Sequence, residues 1–118
     1  MAVRQSFTLT VDASGDLVYT TAPVGGRILQ IDLEGGFDNA ASVTIVGATS
    51  GIAILTDASK ASGAIVYTPR RVVNLNTSGA ALSFWDHIWL DHAGEALTIT
   101  IASGGNAKSE VCNLVTDE

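Results

Sequence analysis

The chain has 118 residues, which suits one folded domain. Its 47% apolar and 15% charged residues exclude intrinsic disorder, which requires low hydrophobicity and high charge. Six basic against 12 acidic residues give a net charge of −6, and this balance argues against nucleic acid and anionic membranes as partners, because phosphate groups require clustered Lys and Arg. We therefore expect one domain over residues 1–118, with no nucleic-acid or membrane partner.

Cysteine content and terminal composition predict the compartment. Cys112 is the single cysteine, so no intrachain disulfide can form. The first residues lack the apolar segment of a signal peptide, and no stretch approaches the ~20 apolar residues that span a bilayer. We expect a soluble chain that is synthesised and folded in a reducing cytoplasm.

Short segments rich in Val, Ile and Thr recur along the chain, and three of them (6–11, 29–34 and 97–102) alternate apolar with polar residues. A period of two is typical of a strand with one face on a core and the other in water. The predicted strands, in chain order, are 6–11, 17–21, 29–34, 42–46, 52–56, 64–68, 71–75, 97–102 and 108–115.

Glycine-containing joints separate these segments roughly every ten residues, which indicates a sandwich, jelly roll or barrel. The predicted fold is therefore all-β, an antiparallel β-sandwich or jelly roll of about eight short strands. A single helical turn would fit residues 57–62 or 83–88. Residues 12–16 and 103–106 are interpreted as hairpin turns, and residues 86–95 as a solvated loop.

The aromatic residues suggest a contact surface. Both tryptophans of the chain lie close to Phe84 and are interleaved with Asp and His, a composition that resembles an interface anchor with a polar rim. Arg70 and Arg71 form the one basic pair, which suits carboxylates of a neighbouring protein. The predicted protein-interface residues are Phe84, Trp85, Ile88, Trp89, Arg70 and Arg71.

Catalytic and metal-binding interpretations find little support in the residue pattern. His87 and His92 are five apart, which places them on opposite faces of a strand, and they are the only histidines. Cys112 lies in an apolar strand and is expected to be a small buried residue with an ordinary pKa. We therefore predict a protein that is not an enzyme and that has no metal, cofactor or catalytic residues.

The order of several motifs resembles a known family. The motifs are the Asp-Ala-Ser-Gly-Asp turn at 12–16, the Pro-Val-Gly-Gly-Arg-Ile-Leu-Gln-Ile step at 23–31, segment 49–56, the Val-Tyr-Thr-Pro-Arg step at 66–70, segment 79–82, and the strand with a Gly-Gly-Asn turn at 97–109. Together they are similar to small all-β proteins encoded near the head genes of tailed bacteriophages.

The resemblance implies a virion component, and head decoration (cement) is the role that fits it best. In that role the protein would bind the major capsid protein on the outer head surface as a homotrimer, after synthesis in the host bacterial cytoplasm. The alternative is a β-sandwich module that binds carbohydrate or belongs to the tail or the head–tail connector. In a carbohydrate module, Trp85 and Trp89 would stack on sugar rings, and Asp86 and Asp91 would accept hydroxyl hydrogen bonds.

Overall fold

The computed structural model describes residues 2–74 and 81–117, and it describes side chains outside positions 2, 71–74, 81–87 and 89–93. The strands it contains are β1 (Ala2–Thr10), β2 (Leu17–Thr20), β3 (Val24–Leu33), β4 (Ala41–Gly47), β5 (Ala53–Lys60), β6 (Ile65–Tyr67), β7 (Arg70–Asn74), β8 (Ala81–His87), β9 (Trp89–Glu95), β10 (Leu97–Ala102) and β11 (Ser109–Asp117). Each of the nine predicted strands overlaps one of these elements.

Two local predictions were wrong. The segments considered for a helical turn lie largely in β5 and β8, and the segment predicted as a solvated loop continues from β8 through β9. Pairing with β4 holds residues 57–60 in the extended backbone of β5, and the aromatic residues Phe84 and Trp85 favour a pleated backbone in β8. No stretch of the described residues forms a helix long and apolar enough to cross a membrane.

The strands form two antiparallel sheets that pack face to face, which confirms the predicted antiparallel β-sandwich. Sheet A has the order β1-β11-β3, and both β6 and β9 pair with β3. Sheet B has the order β2-β10-β4-β5. Strands β7 and β8 form a separate two-stranded ribbon.

Strands β6 and β9 share one position at the edge of sheet A. Strand β6 pairs with the last residues of β3, from Ile31 to Leu33, whereas β9 pairs with its first residues, from Val24 to Arg27. Both lie on the side of β3 that faces away from β11. Each sheet therefore has four strand positions, in line with the predicted count of about eight, and the β7–β8 ribbon is an excursion between β6 and β9.

The inward side chains of both sheets form the core. They alternate with outward residues that are more exposed, as in β4, where buried and half-buried positions follow each other along the whole strand. The buried hydrophobic residues are Leu9, Val11, Val24, Ile28, Ile31, Leu33, Phe37, Ala41, Val43, Ile45, Ile54, Ile88, Leu97, Ile99, Ile101, Cys112 and Leu114.

Three loops meet at one end of the sandwich and bond to each other through their backbones. The Gly104 amide donates to the Gly15 carbonyl at 2.9 Å, and the Asp38 amide donates to the Gly104 carbonyl at 3.0 Å. Residues 12–16 form the expected self-bonded turn, because Asp12 Oδ1 accepts the amides of Ser14 and Asp16 at 2.8 and 3.1 Å. The hairpin interpretation of 12–16 and 103–106 was wrong, however, since each loop crosses from one sheet to the other.

Candidate interaction surfaces

The β7–β8 ribbon, called the arm below, leaves the edge of sheet A. Within the described residues its strands pair only with each other, in a register that places Arg71 opposite Asp86 and Val72 opposite Trp85. The molecule is elongated, with extents of 49 × 26 × 23 Å and a radius of gyration of 14.9 Å, against about 13.5 Å for a compact chain of this length.

Ile88 anchors the base of the arm. It separates β8 from β9, its side chain is 2% exposed within the core, and its carbonyl accepts the Ile28 amide at 3.0 Å. Burial of an isoleucine in the core fixes the point at which the ribbon leaves the sandwich.

Five of the predicted interface residues lie on the arm or at its base, whereas the side chain of the sixth, Ile88, packs in the core of the same chain. Phe84 and Trp85 lie in β8, Trp89 pairs with Arg27 at the start of β9, and the two arginines begin β7. The Arg70 side chain is exposed. The side chains of Phe84, Trp85, Trp89 and Arg71, and those of His87 and His92, lie outside the described part of the chain.

A second surface, not anticipated from the sequence, is the outer face of sheet B. The register of the hydrogen-bonded strands places Val18, Thr100, Thr44 and Thr56 in one row across all four strands of sheet B. A neighbouring row runs through Thr20, Thr98, Val46 and Ala53, and a third pairs Ala102 with Ser42. These ten residues define the sheet B face. They include no charged residue, and half of them are threonines.

The sheet B face is accessible and locally concave. Val18 is 69% exposed, the highest value among the large hydrophobic residues described. At the corner formed by β2 and β10, a hollow of about 380 Å³ is lined by Val18 and Thr100 and bordered by Asp12 and Asp16. The face could therefore accept an uncharged, protruding group of a partner.

The outer face of sheet A differs in that it carries charges. Asn113 is 2% exposed, and its amide donates to Glu34 at 2.8 Å and to Asp32 at 3.3 Å. Ser6 Oγ donates to the Asn113 side-chain oxygen. Arg4 is also exposed on this face. The two faces are therefore chemically distinct.

An interior ion pair was missed at the sequence level. Lys60 Nζ lies 3.1 Å from Glu110 Oε1, both side chains are 0% exposed, and Nζ also donates to the carbonyls of Ala61 and Gly63. Glu110 Oε2 is buried and has no hydrogen-bond partner among the described atoms. The sequence carried one indication that Glu110 is buried. It lies two and four residues before Cys112 and Leu114, so in a strand all three side chains point to the same, inward face of β11.

Two further carboxylates connect separate elements: Glu95 of β9 holds the loop after β4, and Asp57 joins β5 to β6. Glu95 accepts the Ser50 hydroxyl at 2.7 Å and the amides of Ser50 and Thr49 at 2.8 and 3.0 Å, and these hydrogen bonds lower the pKa of Glu95. Tyr67 donates to Asp57 at 2.7 Å, and this bond lowers the pKa of Asp57.

Cys112 is 1% exposed, and burial raises the pKa of its thiol to about 12. The expectation of a small buried residue is confirmed, whereas that of an ordinary pKa was wrong, because desolvation disfavours the thiolate. The thiol is therefore unreactive in the folded protein.

Among the described side chains, no group of three or more His, Cys, Asp or Glu residues is arranged to hold a metal ion. No protein-family model matches the sequence, and no curated protein is significantly similar to it.

Proposed function

We propose that this protein is a structural component of a tailed-bacteriophage virion, which binds the outer surface of the head as a homotrimer and stabilises the shell. In this proposal the major capsid protein is its partner, its place is the capsid surface, and it performs no catalysis. The order of motifs described above supports the phage assignment.

The observation that supports assembly of several copies is the uncharged sheet B face on a molecule with a net charge of −6. The cores of protein interfaces are depleted in charged residues, and their outer rims are polar. A four-stranded face of Thr, Val, Ala and Ser fits an interface core, with Asp12 and Asp16 at its rim.

Trimeric binding would suit a protein that stabilises a shell. Three linked copies engage three capsid sites, so that each contact can be weak while the whole assembly stays bound. The two sheets pack on one continuous core, and this packing makes the sandwich a stiff element between these contacts.

The test measures binding and copy number together. Heads lacking this protein are incubated with the purified chain and separated by sedimentation, and the copies per virion are quantified in the complete phage. We expect saturable binding and hundreds of copies. About six to a dozen copies would indicate a connector or tail protein instead. Absence of binding to heads, together with binding on a glycan array, would replace the proposal by the carbohydrate module.

A further inference from the structure

We infer that the arm of one copy packs on the sheet B face of the next copy, and that this contact, repeated around a three-fold axis, builds the oligomer. The number of copies rests on the proposed function. The contact itself follows from the two surfaces.

The arm requires a partner. An isolated two-stranded hairpin is marginally stable in water, and an open strand edge invites pairing or cover. In the described chain, no other strand pairs with either edge of the β7–β8 ladder. The sequence of β8 includes Phe84 and Trp85, residue types that supply much of the binding energy at interfaces.

The sheet B face suits a second copy of this chain. Two molecules that each carry a net charge of −6 repel one another. The ten residues of this face include no carboxylate, and Asp12 and Asp16 border it only at the corner of β2 and β10, whereas the outer face of sheet A presents Asp32 and Glu34 within the face itself. An acidic copy therefore meets fewer negative charges on the sheet B face than on the outer face of sheet A.

The dimensions of the two surfaces match. Four strands spaced about 4.8 Å apart make a face about 19 Å wide. The arm strands have five and seven residues, which at about 3.3 Å per residue extend roughly 17–23 Å. One ribbon can therefore cross all four strands of the face.

The arm reaches a neighbour rather than its own sheet B. It leaves from the strand beside β3 in sheet A, and the core lies between that sheet and the sheet B face. Because two different surfaces meet, the contact is heterologous, and such contacts close into rings when the rotation permits. In a three-fold ring, every arm contacts the sheet B face of a neighbour, and every sheet B face is covered by an arm.

Disulfide cross-linking tests the contact directly. Since Cys112 is buried with a raised thiol pKa, introduced cysteines are the reactive ones. Thr100→Cys is combined in turn with Val72→Cys and Val73→Cys, because adjacent strand residues point to opposite faces. We expect one double variant to give covalent dimers and trimers on mild oxidation. The matched control replaces Thr100→Cys by Thr8→Cys, an exposed position on sheet A, and should remain unlinked.

Two results would overturn the inference. One is that neither double variant cross-links between copies. The other is that Thr100→Cys alone forms a covalent dimer, which would indicate two sheet B faces packed on a two-fold axis.

A second test compares two lysine substitutions, one on the sheet B face and one on sheet A, that leave the sequence of the arm unchanged. Thr100→Lys should convert the oligomer to monomer in light scattering after size exclusion, whereas Thr8→Lys should leave it intact, with unchanged circular dichroism in both. Loss of assembly in both variants, or in neither, contradicts the inference.

Failure of the inference and of the proposed function can be distinguished. A monomeric wild-type chain that still binds heads contradicts the arm contact alone. A cross-linked trimer that does not bind heads contradicts the decoration role alone.

Discussion

At the scale of single residues, the interior ion pair is the most consequential feature. Lys60 makes one ionic and two carbonyl contacts, so all three of its donors are used. The pair joins the end of β5 in sheet B to β11 in sheet A. A buried pair of this kind contributes little net stability, but removing one partner leaves an uncompensated charge in the core.

We therefore predict that Lys60→Met lowers the free energy of unfolding by about 3–5 kcal/mol, measured by urea titration. The double variant Lys60→Met with Glu110→Leu should regain most of this loss. The control is Lys108→Met, because its ion pair with Asp38 is about half exposed (49% for each side chain), and removing it should cost less than about 1 kcal/mol. A double variant as unstable as the single one would contradict this account.

Glu95 makes stability depend on pH. Its folded-state pKa is lowered by the Ser50 hydroxyl and by the amides of Ser50 and Thr49. Its contribution is therefore present above the unfolded pKa of about 4.3 and is lost as the pH falls through the folded pKa. We predict that Glu95→Gln lowers the melting temperature at pH 7 and that the difference from wild type shrinks in acid. Ser50→Ala, which removes one donor, should have a smaller effect, and a pH-independent difference would refute the prediction.

At the scale of elements, the turn between β3 and β4 depends on glycine. Gly36 has φ +148°, and a Cβ there would lie 1.9 Å from the Ser109 carbonyl oxygen of β11. Gly63 has φ +91° and open space around its Cβ position. The two positions share a backbone conformation that favours glycine but differ in the available space.

We predict that Gly36→Ala lowers the free energy of unfolding by well over 2 kcal/mol, because the strand β11 must shift to remove the clash. Gly63→Ala should cost only about 1–2 kcal/mol, the conformational penalty alone. Thermal or urea unfolding of both variants measures the difference. Equal losses would show that the approach to Ser109 does not limit this turn.

The elements most clearly specified by sequence were those with strict alternation, such as β10, whose inward Leu and Ile residues form part of the core. Strands β8 and β9 escaped prediction because their segment mixes aromatic and charged residues without a period of two. Its two halves also have different partners, β7 before Ile88 and β3 after it. A change of partner in the middle of a segment leaves no local pattern.

At the scale of the whole molecule, charge governs how copies meet. The chain has a sequence pI of about 4.6 and a net charge of −6, so copies repel at neutral pH. A contact on an uncharged face is not held by ion pairs. Salt should therefore screen the repulsion without weakening the contact.

We predict that the oligomer fraction is unchanged or higher when NaCl is raised from about 50 to about 500 mM, a range over which the Debye length falls to roughly 4 Å. Sedimentation velocity at both concentrations measures the fraction. Dissociation at high salt would show that ion pairs hold the copies together, and would contradict contact through the sheet B face.

The amino-acid sequence determined what depends on local patterning. Its alternation and glycine joints specified an antiparallel sandwich with about eight strand positions, and its composition specified an acidic chain whose aromatic residues cluster in one segment. Only the tertiary structure decided which residues share a face. The threonines of β2, β4, β5 and β10 are far apart in the chain, and strand register alone aligns them into the sheet B face. The same holds for Lys60 and Glu110, because long-range pairing depends on the packing of both sheets rather than on any single segment.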